Sequence, residues 1–248
     1  MSEEFKLPTE TIELPSKGLL YPTDSELAKG TIEIKYMTAK EEDILTNENY
    51  IKQGTVIDKL LQSVIVTKIN YNELLLVDKD AIMVAARILG YGKDYEFTYD
   101  YEKVTIDLTE LKDKKFNEKL IAPGKNEFSF KLPFSKNEIT FKLLTEGEEK
   151  KIQKELKGLK KIDKQSNPEI STRLKHLITS VNGDNTSVTI RKFVDNYLIA
   201  KDARSLRQYM DKISPGVNMK FDYESPEGEI EEGVSVPIGI TFFWPDAW

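Results

Sequence analysis

The sequence predicts an α+β fold made of two tandem pseudo-repeats of a β-α-α-α-β-β unit, with an extended N-terminal arm. Three observations carry that expectation. The stretch 31-TIEIKYMTAKEEDIL-45 returns as 138-EITFKLLTEGEEKKI-152. Moving Ile32 forward by 107 gives Ile139, and the same shift carries Lys35, Thr38, Glu41 and Glu42 onto Lys142, Thr145, Glu148 and Glu149. Further along, Tyr95, Phe97 and Tyr99 alternate with polar residues just as Met219, Phe221 and Tyr223 do, 124 positions later. Offsets that only grow along the chain are what loop insertions into a duplicated module leave behind.

Taken in order, the first element of each unit is a strand. Ile32, Ile34 and Tyr36 share one face, as do Ile139, Phe141 and Leu143. Thr-x-x-Glu follows in both copies, Thr38 with Glu41 and Thr145 with Glu148, the pattern of a capping box that starts a helix. The next helix starts at Thr55 and places Ile57, Leu60, Leu61 and Val64 at i, i+3, i+4, i+7, a spacing repeated after Pro168 by Leu174, Leu177, Ile178 and Val181. Asp80 and Asp202 are the expected N-caps of a third helix, which stops at 90-GYG-92 in one copy and 214-SPG-216 in the other. The alternating strands just described then pair with returning strands carrying Val104, Ile106 and Leu108, or Val234, Val236 and Ile238.

These elements divide the chain into an arm at 1–30, a first repeat at 31–110, a linker at 111–126 and a second repeat at 127–248. The arm holds 14-LPSKGLLYP-22, where no helical or strand period runs between the prolines. Its apolar surface must lie against something, either its own domain or another subunit. The linker is charged, poorly periodic and broken by Pro123 and Gly124. The terminal 242-FFWPDAW-248 crowds Phe242, Phe243, Trp244 and Trp248 together. Aromatics of this kind either close a core or anchor a partner. Leu14, Pro15, Leu19, Leu20, Tyr21, Phe242, Trp244 and Trp248 are therefore the candidate partner-binding residues.

Composition narrows the chemistry. The net charge is −6, with 36 Lys and Arg against 42 Asp and Glu, which argues against phosphate recognition and nucleic-acid binding. The one local exception, 150-KKIQKELKGLKK-161, sets Ile152, Leu156 and Leu159 on one helix face, with lysines around the rest. The chain has no Cys and one His, His176, expected to face solvent, so disulfides, thiolate metal sites and Cys–His nucleophiles are excluded. A Ser–His–Asp triad is disfavoured as well. The glycines of 90-GYGKDY-95 follow a helix and precede a strand, the reverse of a phosphate-binding loop. The longest apolar run, 81-AIMVAARIL-89, is too short for a bilayer and contains Arg87, and the N-terminus carries no secretion signal. The expectation is a non-enzymatic protein without cofactor, metal, membrane or small-molecule substrate, made in the cytoplasm.

With these passages assembled, the chain resembles the baseplate hub proteins of T-even-type contractile-tailed phages, common among marine and cyanobacterial myoviruses. The phrases 14-LPSKGLLYP-22, 34-IKYMTAKEEDIL-45, 85-AARILGYGKDYEF-97 and 242-FFWP-245 carry the resemblance, which covers most of the chain. It implies a virion protein of the tail baseplate, partnered by other hub and tail proteins, or a chaperone that assists hub assembly and then leaves. It brings no catalytic residues. Some relatives place a Cys pair near a hairpin tip, and this sequence lacks it. A duplicated module would let one chain present two similar surfaces to neighbours in a symmetric assembly.

Overall fold

The computed structural model describes residues 7–165, 167–225 and 228–243. The fold is mixed α+β, with eight α-helices among the described residues and four small antiparallel sheets. In the first half, β1 (Thr9–Glu13) pairs with β2 (Thr31–Lys35), so that Ile12 lies opposite Ile32. Helices α1 (Ala39–Leu45), α2 (Glu48–Gln53), α3 (Val56–Val64) and α4 (Leu76–Tyr91) follow, then the hairpin β3 (Asp94–Tyr99) and β4 (Glu102–Asp107).

In the second half, β5 (Phe128–Lys131) pairs with β6 (Glu138–Phe141). Next come α5 (Glu146–Ile162), α6 (Glu169–Leu177) and β7 (Ile178–Val181), which lies on the other side of β6. Helices α7 (Ser187–Asn196) and α8 (Ala200–Ile213) lead to the hairpin β8 (Lys220–Glu224) and β9 (Ile230–Ser235).

Local chemistry explains the starts of α1 and α5. The Glu41 carboxylate accepts the Thr38 N–H at 2.9 Å and its hydroxyl at 2.6 Å. Glu148 accepts the Thr145 N–H at 3.0 Å, while the Thr145 hydroxyl accepts the Glu148 N–H at 3.4 Å. Each Glu is also held from the preceding strand, Glu41 by Lys35 and Glu148 by Lys142. Burial alone would raise the Glu41 carboxyl, but hydrogen bonds from Lys35, Ser63 and Thr38 outweigh it and hold the group at about 2.

Four expectations need correction. Between its first strand and its terminal hairpin each half holds four helices, α1–α4 and α5–α8, where three were expected, and β7 interrupts the second set. Ile178 and Val181 do not continue a helix: α6 ends at Leu177 and the chain straightens into β7. The four-residue spacing hid the change, and pairing with β6 satisfies a backbone that β-branched residues suit better as a strand. Asp80 and Asp202 are not N-caps either. The caps are Leu75 and Ile199, and the aspartates at the third helical position are Asp78 and Asp202. Nor is the stretch 14–30 extended, and of the two placements expected, its own domain or another subunit, it takes the first. It leaves β1, turns at Lys17 and Gly18, and closes with a 3-10 turn at Glu26–Lys29, with Leu14, Leu20, Tyr21 and Leu27 in the core. Gly18 is required at that turn, since a Cβ there would sit 2.4 Å from the Ala28 carbonyl oxygen.

The segment 111–126 is fastened at two places. The Lys114 N–H donates to the Gly216 carbonyl at 2.7 Å, and the Asn218 N–H to that of Lys112 at 2.8 Å. The Gly124 N–H donates to the Leu19 carbonyl at 2.8 Å. Residues 237–243 also return to the first half: the Tyr95 hydroxyl donates to the Pro237 carbonyl at 2.9 Å, and Phe242 and Phe243 are fully buried beside α4.

Candidate docking surfaces

Most of the predicted partner-binding residues face inward. The reason is a buried carboxylate. Asp78 lies in the first turn of α4 and accepts the Ser16 N–H at 2.9 Å, the Ser16 hydroxyl at 2.7 Å and the Tyr21 hydroxyl at 2.6 Å. Tyr21 oxygen in turn accepts the Leu75 N–H at 3.0 Å. Burial pushes the Asp78 carboxyl and the Tyr21 phenol above their ordinary values. Once that cluster forms, Leu14, Pro15, Leu20 and Tyr21 are inside and Leu19 is half-buried against the core. They are correspondingly poor candidates for an exposed adhesive surface.

Phe242 is likewise internal. Its carbonyl accepts from Arg87 Nε at 2.7 Å and its ring meets Tyr95 edge-on at 4.9 Å. Arg87, itself buried, spends its other nitrogens on the carbonyls of Gly92 and Asp94. Trp244 and Trp248 lie outside the described residues. His176 is not free in solvent but shares Glu155 with Arg191, at 2.9 and 2.7 Å, and hydrogen bonds to the carboxylate, Arg191's most of all, outweigh burial and hold the Glu155 carboxyl at about 2.

The two halves meet at a seam that the sequence reading missed. Ahead of α4, the Leu76 N–H donates to the Leu144 carbonyl at 3.0 Å and the Glu146 N–H to the Leu74 carbonyl at 2.8 Å. Leu75 and Thr145 thus face each other as antiparallel partners. Leu74 and Leu75 are buried, and beside them Lys79 reaches Asp58 at 2.6 Å and Glu146 at 2.5 Å. Burial would lower the Lys79 ammonium, but those two carboxylates together raise it. Gly147 permits the approach, for a Cβ there would meet the Asn72 carbonyl oxygen at 2.9 Å. The signal available in the sequence was the run 74-LLL-76 immediately before a helix, with no capping residue.

Two other surface features stand out among the described residues. An apolar patch surrounds the start of α8: Phe134, Tyr197 and Ile199 are 53%, 58% and 47% exposed, with Lys201 lying over the Phe134 ring at 5.4 Å. Between the hairpins, β4 and β8 border an open groove of about 650 Å³, lined by Glu102, Asp107, Glu110, Asp222 and Glu224 with Lys103 and Lys220. No group of three or more His, Cys, Asp or Glu side chains among the described residues is placed to hold a metal ion. No helix among them is long and apolar enough to cross a membrane. Comparison with family models, curated proteins and solved structures finds no match for the chain.

Proposed function

We propose that the chain is a tandem pseudo-repeat that works as a structural subunit, through protein–protein contacts rather than catalysis. Its particular place, on this reading, is the tail baseplate hub of a contractile-tailed phage, where it bridges neighbouring hub and tail subunits within the virion. The repeat reading is supported by the two capping boxes, each tied back to its strand by a lysine, and by the matched order of strand pair, helices and terminal hairpin.

The observation that carries the structural role is the seam. The apolar stretch before α4 meets the start of α5 through an isolated antiparallel bridge, two reciprocal backbone hydrogen bonds and the Lys79–Glu146 ion pair. That is how a docking module engages a neighbour. The baseplate assignment draws on the phrases at 14–22, 34–45, 85–97 and 242–245.

Quantitative mass spectrometry of purified mature virions, scaled to a tail-tube subunit, tests the assignment. A fixed small copy number per particle is the expected result. Absence from virions with presence in infected-cell lysate would replace it with an assembly chaperone.

A further inference from the structure

The seam joins unlike parts of the two halves. Residues 74–76 of the first pair with 144–146 of the second through one isolated antiparallel bridge, each side donating one backbone hydrogen bond. Under the repeat correspondence, the first half has its own counterpart of 144–146 at 37–39 and the second half its own counterpart of 74–76 at 198–200, and neither is engaged by the other. Leu75 is 1% exposed, whereas its counterpart Ile199 is 47% exposed. Among the described residues, the Met37 carbonyl, the Ala39 N–H, the Leu198 carbonyl and the Ala200 N–H have no backbone partner in a ladder or turn.

Helix capping makes the contrast sharper. Both Leu75 and Ile199 occupy the N-cap position of a helix, and neither side chain caps it. An apolar residue there forgoes about 1 kcal/mol relative to Ser, Asp or Asn. For Leu75 burial in the seam offsets that loss. For Ile199 nothing among the described residues does, and Tyr197 and Phe134 are exposed nearby. An apolar cap left in water beside two aromatics has the character of an uncovered interface.

We propose that the occupant is a second copy of this chain: residues 198–200 of one copy pair with residues 37–39 of the next. The contact repeats the internal seam and is heterologous, so successive copies assemble head to tail into a ring or filament. Ala39 and Ala203 take the places of Glu146 and Lys79, so no charge is buried there. Lys40 takes the place of Gly147, where a Cβ would meet a backbone carbonyl at 2.9 Å, so this contact keeps the backbone pairing of the internal seam but not its close approach. The inference rests on the repeat reading and is independent of the baseplate assignment, which virion abundance tests separately.

Because the chain has no Cys, a designed pair reports the contact cleanly. In the internal seam, Leu75 lies opposite Thr145, and the corresponding pair is Ile199 with Thr38. Opposed antiparallel residues have a Cα separation compatible with a disulfide. Full-length Ile199→Cys and Thr38→Cys chains are mixed at high micromolar concentration and oxidised, with Ala39→Cys as a second variant that leaves the capping box intact. The expected product is a mixed dimer from the two variants, with little from either alone. Ile199→Asp, which supplies a better cap, should keep the fold and weaken self-association of the unmodified chain about tenfold or more, read by sedimentation velocity. Chains that stay monomeric and uncrosslinked while folded by circular dichroism overturn the proposal. Preferential crosslinking of identical variants overturns it too, because that contact would be two-fold rather than head to tail.

Discussion

Asp78 and Asp202 stand at the same distance inside their helices, both wholly buried, yet their surroundings move their carboxyls in opposite directions. Asp78 is covered by the seventeen-residue connection 14–30 and meets hydroxyls from Ser16 and Tyr21; burial dominates and raises it. Asp202 faces the short connection 132–137. Burial there is outweighed by the N–H groups of Phe134 and Ser135, both at 2.9 Å, and the carboxyl falls below its ordinary value. One helix position thus serves two purposes. In the first half it locks a long apolar connection into the core, and in the second it closes a tight turn. The difference lies in what the neighbouring loop brings, not in the aspartate.

The largest effect should come from breaking the first lock. Asp78→Ala leaves the Ser16 N–H and two buried hydroxyls without their acceptor. At about 1–3 kcal/mol for each unmatched donor, a loss of about 3 kcal/mol or more is expected in urea unfolding. Asp202→Ala should cost about 1 kcal/mol, because its hydrogen bonds from the Phe134 and Ser135 N–H groups are only partly buried and water can replace the acceptor once the side chain is gone. Equal losses would mean that the two sites are energetically alike.

Next in size are two glycines of α5. Gly147→Ala drives a methyl into the Asn72 carbonyl at the seam and should destabilise by about 1–3 kcal/mol. Gly158→Ala, with open space around it, should stabilise by about 0.5–1 kcal/mol through helix propensity. Thermal unfolding of both variants reads the opposite signs.

A smaller effect distinguishes the carboxylates by pH. Asp80 is raised to about 6 by burial, so its contribution is present below its ordinary 3.8 and lost as pH rises through 6. Glu41, at about 2, behaves oppositely: its contribution is present above its ordinary 4.5 and lost as pH falls through 2. Asp80→Asn should therefore stabilise at pH 7 by about 1 kcal/mol, raising Tm by roughly 2–4 °C, and should flatten the stability curve between pH 4 and 6. The smallest change is expected for Lys52→Ala, which removes an exposed pair with Glu48 and should move stability by less than about 0.5 kcal/mol in the same assay.

Much of the local structure was legible because its causes are local. Both Thr-x-x-Glu starts formed as the spacing required, and the Tyr95, Phe97 and Tyr99 alternation became a strand paired with β4. Periodicity failed where two structures share a spacing, as at Ile178–Val181. It failed again at Asp80, where an acidic residue before an alanine imitated a cap from the fifth position of the helix. Extending the 124-residue offset of the hairpins back to the helices would have placed Asp202 opposite Asp78 and Ile199 opposite Leu75.

The docking surfaces were the least legible part. Leu14, Leu20, Tyr21 and Phe242 are as apolar as any anchor, and composition cannot say on which side of the surface they lie. The sequence by itself determined the class of fold, its strand–helix starts, its hairpins and the absence of cysteine chemistry, since each depends on neighbours within a few residues or on composition. Only the tertiary structure decided that the apolar N-terminal stretch turns inward, that residues 237–243 return to the first half, and that Leu75 is covered while Ile199 is not. Those outcomes depend on groups brought together from Ser16 to Asp78, from Arg87 to Phe242 and from Leu76 to Leu144, and long-range closure of that kind leaves no period in the chain.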